Sequence, residues 1–591
     1  MASQEEIKEM MNGMPLVAEK QDEEQKEAVE YVERDFKEKQ IWRNTTASQW
    51  EEVAEILDPN SRNTFFFGSQ NWPGMKKTQR QIDSNGQIAL EKFKAICDSL
   101  LTPRNMFWHT VQSDIPAVNK DRRAKLWYEQ LTHALFRERY APTANFASQN
   151  QMVFHGLGAY GTAGLFTDEF FAPYGKVRGV RYRNMPLGEL YISENHQGLI
   201  DQFTRWFRLT ASQAKKQFPQ AWEKGWLLAL KPAFDSNSES KFDFLHHVCL
   251  RRYGYDPGRK DRKGMPFVSY YVSLSDHTLL EEGGYRSFPL AASRYIQAPN
   301  EVYGRGPAMQ VLPALKTLNA EKATFLKQGH MITDPVLLSY DDGLFKPKIR
   351  PGAFNKGGMT ADGKPLVTVL PTGQIQISKE MMQEEKNIIF DQFLVNLFQI
   401  LTETPQMTAT EVIERTNEKG ILLAPTVGRQ QSEYLGVLIP REVDLLIQLR
   451  LIPPPPPIIR ESGAGFDVVY TSPISRAMRA QEAAGFMRTV ESVKELVNIT
   501  GDASLLDPFD FDVAIPAIAE IQAVPFSWMA PPEKIAMKRK ARAQSQAQQA
   551  QIQALPAQAA MMKAQAVVNK NQPGIAPGQA FGGPQQPPQA A

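Results

Sequence analysis

Apolar residues recur at three- and four-residue spacing in EEQKEAVEYVERDFKEKQIW (23–42) and in SNGQIALEKFKAICDSLL (84–101). That spacing predicts amphipathic helices. Trp50, Val53, Ile56 and Leu57 carry it to a stop at Asp58-Pro59. KDRRAKLWYEQLTHALFRERY (120–140) and NFASQNQMVFHGLGAYGTAGLF (145–166) read as further helices. From about 165 to 300 the period shifts toward two. KFDFLHHVCLRRY (241–253), MPFVSYYVSLS (265–275) and HTLLEEGGYRSFPLAASRY (277–295) read as strands, the last turning at Gly283-Gly284. A helix interrupts them at TASQAKKQFP, with Thr210 as its N-cap.

A helical run, GPAMQVLPALKTLNAEKATFLKQGHMI, follows over 306–332, and its Pro313 implies either a restart in the first turn or a kink. A Gly/Pro-rich module of short strands comes next, then a helix from Ser378, read as its N-cap, to Thr402. At 1.5 Å per residue this rod is about 37 Å long. Its first half is charged (Lys379, Glu380, Glu384, Glu385, Lys386) and its second half apolar, as in a rod that leaves an exposed neck and enters a packed body. It breaks at TETPQM and restarts at once. Thr408 and Glu411 form a capping box, with Met407 and Val412 placed for a hydrophobic staple. Helix resumes over 408–450 and ends at Pro453 to Pro457. The strand FDVVYTS then leads to helices at 475–500 and 514–522. The last fifty residues, rich in Gln, Ala and Pro, lack the large apolar residues a core requires and read as a helix fading into disorder. The class is α+β, mainly helical.

The 591 residues allow several domains, and 42 % hydrophobic residues suffice for a sizeable core. Charges nearly cancel at a formal +2, which argues against a dedicated nucleic-acid clamp. Cys97 and Cys249 belong to no CxxC pattern and read as two buried thiols in a reducing compartment. The polar, acidic N-terminus lacks the features of a secretory signal. The most apolar helix, Ile388 to Leu401, is too short to span a bilayer, so a soluble intracellular chain with no membrane partner is expected.

Candidate chemistry is sparse. GMTADGKP (358–365) has the spacing of a phosphate loop, but proline stands where Ser or Thr must hold magnesium, and no apolar strand precedes it. A glycine-rich hairpin is the better reading. His246 and His247 lie side by side in a strand, point to opposite faces and cannot share a metal; one buried and one exposed histidine is expected. No HExxH, GxSxG or clustered carboxylate pattern supports an enzyme, a metal site or a cofactor. Lys346, Lys348, Arg350, Lys356 and Lys364 concentrate positive charge in the Gly/Pro-rich module, either as solvated loops or as a docking surface. A second basic run, Lys534 to Arg542, either meets DNA or caps a helix C-terminus.

Taken in order, LLTPRNMFWHTV, FHGLGAYGTAGLF, MPLGELYI…GLIDQFTRWFRLTASQAKKQF, YGRGPAMQVLPALKTLNAEK, IRPGAFN and TPQMTATEVIERTNEKGILLAPTVGRQQSEYLGVLI resemble the portal (head-to-tail connector) proteins of short-tailed phages, over roughly residues 40–480. The resemblance implies a ring, usually of twelve subunits, at one capsid vertex of the virion, assembled in the host cytoplasm. It divides the chain into a flexible N-terminus (1–20), a wing (21–305), a first stem helix (306–332), a clip (333–377), a second stem helix (378–402), a tunnel loop (403–410), a return to the wing (411–475), a crown (476–545) and a tail (546–591). The implied partners are further copies of the chain, double-stranded DNA in the channel, a terminase motor, tail adaptor proteins, and the major capsid and scaffolding proteins. Thr402, Glu403, Thr404, Pro405, Gln406, Met407 and Thr408 would project toward the axis. The segment has no lysine, and Thr402, Glu403, Thr404, Gln406 and Thr408 offer weak polar contact and one repelling carboxylate, so DNA would be surrounded without being gripped. The basic residues of the clip would dock the motor. Another ring-forming head-tail adaptor is the alternative, but the inserted module and the returning helix favour the portal.

Overall fold

The computed structural model describes residues 22–68, 74–171, 178–252, 255–259, 261–339, 348, 350, 353–371, 375–396, 425–471, 473–501, 503–521, 524 and 528–570. The chain divides into two compact units, 1–524 and 525–591.

The first unit opens with α1 (Glu23–Ile56), in which the stretch at 23–42 and the pattern at Trp50, Val53 and Ile56 form one continuous helix. It stops where expected, before a 3-10 turn begun by Pro59. Then come α2 (Asn85–Leu101), the short strand β1 (His109–Gln112), α3 (Arg122–Arg139) and α4 (Phe146–Tyr160). The predicted helix at 145–166 ends at Gly161, whose φ of 73° closes it, and the chain continues as β2 (Thr162–Phe171).

β2 lies between β3 (Arg178–Met185) and β9 (Leu290–Arg294) in an antiparallel sheet. A second sheet is a five-stranded meander in sequence order, β4 (Leu190–Glu194), β5 (Ile200–Thr210), β6 (Lys241–Leu250), β7 (Phe267–Ser273) and β8 (Thr278–Tyr285). Thr210 caps the helix that follows β5, and its hydroxyl oxygen accepts from the Gln213 amide.

The expected turn at Gly283-Gly284 is not there. β8 runs straight through, with Gly283 opposite Ser269 and Gly284 opposite Val268. Glycine serves a close approach instead, since a Cβ on Gly284 would stand 3.0 Å from Met265 Cβ and 3.1 Å from the Phe267 carbonyl oxygen.

The meander is covered on both faces. Val29, Val32 and Phe36 of α1 pack on Tyr191, Trp206, Leu245, Val272 and Leu279. On the other face Phe203 and Val248 join the largest core, built from α1, α2, α4 and β9. This corrects the expectation of one exposed histidine. His246 and His247 do point to opposite faces, but both are buried, because neither face of the sheet meets solvent there. His246 stacks on Tyr271 with ring centroids 4.2 Å apart, and its Nε2 lies 2.9 Å from Ser269 Oγ. His247 Nδ1 lies 2.8 Å from Thr204 Oγ1 under α1. Burial, with Arg205 and Arg183 nearby, pushes His246 down to about 3. Burial likewise holds His247 well below its ordinary range.

A further core joins α3, α4, β1 and β3 to α7 (Gly436–Gln448) and β12 (Asp467–Tyr470). β12 returns across the chain to pair antiparallel with β1, His109 opposite Tyr470. Cys249 is buried as expected, whereas Cys97 is only partly so; burial pushes their thiols up to about 11 and about 12. The unit closes with α8 (Pro473–Thr500) and α9 (Phe511–Ile521), where Phe486, Phe509 and Phe511 form an aromatic cluster. The second unit contains α10 (Pro532–Lys570). Among the described residues no helix is long and apolar enough to cross a membrane.

Candidate functional site

Two helices, α5 (Leu312–Thr333) and α6 (Ile375–Gln392), leave the body side by side and antiparallel. Ser378 Oγ donates to Gln328 Oε1 at 3.4 Å near the far end, and Gln392 bonds Gln310 near the root.

The root is set by backbone crossing backbone. Gly161, from the GLGAYGTAGLF motif, meets Gly304 and Gly306, from YGRGPAM, so closely that a Cβ on Gly161 would lie 2.2 Å from the Gly306 nitrogen. A Cβ on Gly304 would lie 2.5 Å from the Gly161 carbonyl oxygen. These glycines are required because two main chains touch. A short helix, Pro307–Gln310, follows at once, and Pro313 sits in the first turn of α5, where its missing N–H costs nothing. Pro313 therefore marks a restart and not a kink. Asn319 then clamps the loop that precedes α2 onto α5. Its Oδ1 accepts from the amides of Ile82 (2.7 Å) and Asp83 (3.1 Å), and its Nδ2 donates to the Arg80 carbonyl (3.0 Å).

The expected helix from Ser378 to Thr402 is revised in two places. It begins at Ile375, so Ser378 is internal and caps nothing. It is interrupted after Gln392, because Leu394 takes a left-handed φ of 62°; Val395 and Asn396 are helical again, and 397–402 lie outside the described residues. The cause is burial. Phe393 and Val395 are both in the core, and two residues apart on a helix they would point nearly oppositely. One left-handed residue turns both inward, at a cost of about 1–3 kcal/mol that the packing offsets. The apolar half of α6 does enter the body, through Ile389, Phe390 and Phe393.

The far end is bare. Leu326, Met331 and Ile332 of α5, and Ile377 and Met381 of α6, are exposed there, and Ile388 is exposed nearer the root. Beyond them β10 (Leu337–Ser339) and β11 (Val367–Val369) pair over three residues. Among the described residues from 334 to 371, none is buried. Phe354 is 80 % exposed and Met359 is 63 % exposed. Three pairs in two strands without a covered face do not hold by themselves in water. Sequence reasoning passed over these apolar residues. The available signal was a module rich in large side chains with no alternation that could bury them.

Within the module GMTADGKP is the glycine-rich hairpin expected: the Thr360 amide donates to the Lys364 carbonyl at 2.9 Å, and Met359 bridges Pro365. Lys348, Arg350, Lys356 and Lys364 are exposed. The Lys348 amide donates to Asn355 Oδ1 at 2.8 Å, which brings Lys348 beside Lys356. Lys346, the whole loop from Thr402 to Thr408 (Glu403, Thr404, Pro405, Gln406 and Met407 included) and the capping box with Glu411 lie outside the described residues.

The chain re-enters the described structure at residue 425 and passes through a π-helical turn, Gln430–Leu435, into α7. Charged groups that the sequence left unassigned anchor this return. Arg294 of β9 donates to both carboxylate oxygens of Glu433 (2.9 and 3.1 Å) and to Glu194 of β4 (2.7 Å), so that one guanidinium ties both sheets to the turn. Gln430 Nε2 donates to the Arg294 carbonyl at 2.9 Å. On α7, Glu442 accepts from Arg139 Nε (3.0 Å) and from the Tyr182 hydroxyl (2.5 Å). Burial alone would lower Arg139, but Glu442 holds it above its ordinary range.

No group of three or more His, Cys, Asp or Glu side chains among the described residues could hold a metal. What the structure builds is a positioned, two-helix projection with uncovered apolar side chains, rooted at the glycine crossing, at the end of α6 and again from residue 425 onward. That is the design of an assembly protein.

The chain belongs to the bacteriophage head to tail connecting protein family, whose model matches residues 32–529. It is 25 % identical over 521 residues to the probable portal protein of Bordetella phage BPP-1, covering 85 % of this chain and 89 % of that one. It is 24 % identical over 518 residues to the portal protein of Salmonella phage epsilon15, covering 86 % and 90 %. The resemblance read from the motifs therefore holds, and the role is structural, that of a phage portal, and not enzymatic.

Proposed function

We propose that copies of this chain close into a ring, usually twelve in this class of protein, with α5 and α6 as the stem around a channel for double-stranded DNA. The observation that carries this is the coreless module at 334–371 on an arm with uncovered Leu326, Met331, Ile332, Ile377, Met381 and Ile388. Exposed apolar groups on that scale mark an interface. A head-to-tail contact repeated about an axis covers each arm with the next and closes without free ends. In such a ring the segment 402–408, between the end of α6 and the return at 425, faces the axis as a weakly adhesive constriction. Lys348, Arg350, Lys356 and Lys364, with Lys346, face a terminase motor during packaging and tail adaptor proteins afterwards. The wing and the residues after 475 meet the capsid and scaffolding proteins inside the host cell.

Electron microscopy of the purified chain tests this reading. Rings with a central channel wide enough for a duplex are expected. The double substitution Ile377→Glu with Met381→Glu should leave a folded monomer, seen by circular dichroism, that forms no rings. Unimpaired rings from that variant would remove the arm from the interface.

A further inference from the structure

The charge of this chain is unevenly divided. Residues 525–591 hold seven of its 67 basic residues, Lys534, Lys538, Arg539, Lys540, Arg542, Lys563 and Lys570, but only Glu533 of its 65 acidic ones. The other 524 residues therefore carry 60 basic against 64 acidic side chains. The second unit is net positive by six and the first net negative by four.

The structure places the basic run at the start of α10, with twenty-eight helical residues beyond Arg542, so it does not cap a helix C-terminus. Lys534, in the first turn, opposes the helix dipole, and the rest of the run lies beyond that turn, so the dipole does not explain the cluster. Every residue from Glu533 to Gln549 is exposed. The only large apolar side chains there are Ile535 and Met537, which gives this part of the helix no apolar stripe with which to pack on protein. Lys534, Lys538 and Arg542 stand four residues apart and form one stripe. Their spacing along the axis is about 6 Å, close to two nucleotide steps of one DNA strand, about 7 Å.

We infer that the stripe Lys534–Lys538–Arg542 of α10 is a binding surface for the phosphate backbone of double-stranded DNA, independent of base sequence. Binding by this surface is electrostatic and releases counterions, so affinity falls steeply with salt. The net negative first unit repels the same ligand, which confines the attraction to α10. This goes beyond the channel reading, because it puts the adhesive contact on the C-terminal helix and not on the lysine-free loop at 402–408.

The test is fluorescence anisotropy of the full-length protein with a labelled duplex of arbitrary sequence, over a salt series. Each phosphate contact contributes about 0.9 to the slope of log affinity against log salt. Lys534→Gln with Lys538→Gln and Arg542→Gln removes three contacts and should lower the slope by about 2.7. Glutamine keeps the helix propensity, and circular dichroism checks it. Lys534→Arg with Lys538→Arg should keep the slope, and so should Lys356→Gln with Lys364→Gln on the arm. An unchanged slope in the triple variant overturns the inference. So does a triple variant that still binds duplex but loses binding to labelled poly-glutamate, since the surface would then belong to an acidic protein. Neither result depends on whether rings form.

Discussion

Removing the Glu442 carboxylate tests the idea that the return helix α7 is pinned by charge. Arg139 is 0 % exposed and Glu442 2 %. Trp108 and Phe136 face the guanidinium at 4.5 and 4.9 Å, and Phe146 stands at 5.6 Å. With Glu442→Ala the guanidinium loses both bonds to its partner and cannot reach water without opening the core. The Tyr182 hydroxyl loses its acceptor in the same step. Breaking one side of a buried ion pair costs about 3–5 kcal/mol. For the α7 amides that expectation becomes hydrogen exchange faster by between about a hundredfold and a few thousandfold. Arg139→Met combined with Glu442→Leu removes both charges and should recover most of the loss, because well-packed apolar groups replace a buried pair at little net cost. Mass-spectrometric exchange at α3 and α7 reads both variants. Acceleration of less than about fivefold in Glu442→Ala, or a double variant no better than the single one, would refute the reasoning.

Gly161→Ala places a methyl group 2.2 Å from the Gly306 nitrogen at a φ of 73°, so neither main chain can stay where it is. Loss of soluble protein is expected, whereas Gly329→Ala on α5, with open space around it, should express normally. His246 gives the sheet a pH dependence with a definite sign. The unfolded histidine takes up a proton below about 6.5, whereas the folded one stays neutral until about 3. Stability is therefore full above about 6.5 and declines as pH falls, by about 1.4 kcal/mol per unit for this one group. Urea midpoints measured from pH 7 to pH 4 should fall less in His246→Gln than in the parent. A parallel decline in both would show that His246 is not the source.

What could be read from the sequence was what local periodicity determines. The helices at 84–101 and 120–140, the Thr210 cap, the stop at Asp58-Pro59 and the GMTADGKP hairpin each follow from residues within a few positions of one another. The opposite faces of His246 and His247 follow from strand geometry in the same way. Their common burial does not, because it requires α1, some two hundred residues earlier, to lie on the outer face of the meander. Gly283-Gly284 misled for a related reason: in one dimension a pair of glycines signals a turn, and only a neighbouring strand shows that the side chain had no room. The end of α6 is subtler. Nothing near Leu394 forbids unbroken helix, and the helix is interrupted there because Phe393 and Val395 both gain a place in the core. The same logic, reversed, makes the arm informative. Where apolar residues find a place within the chain they bend the backbone to reach it, as at Leu394. Where they do not, as at Leu326, Met331, Ile332, Ile377 and Met381, they stay uncovered, and that is why the proposed contact between copies is placed there.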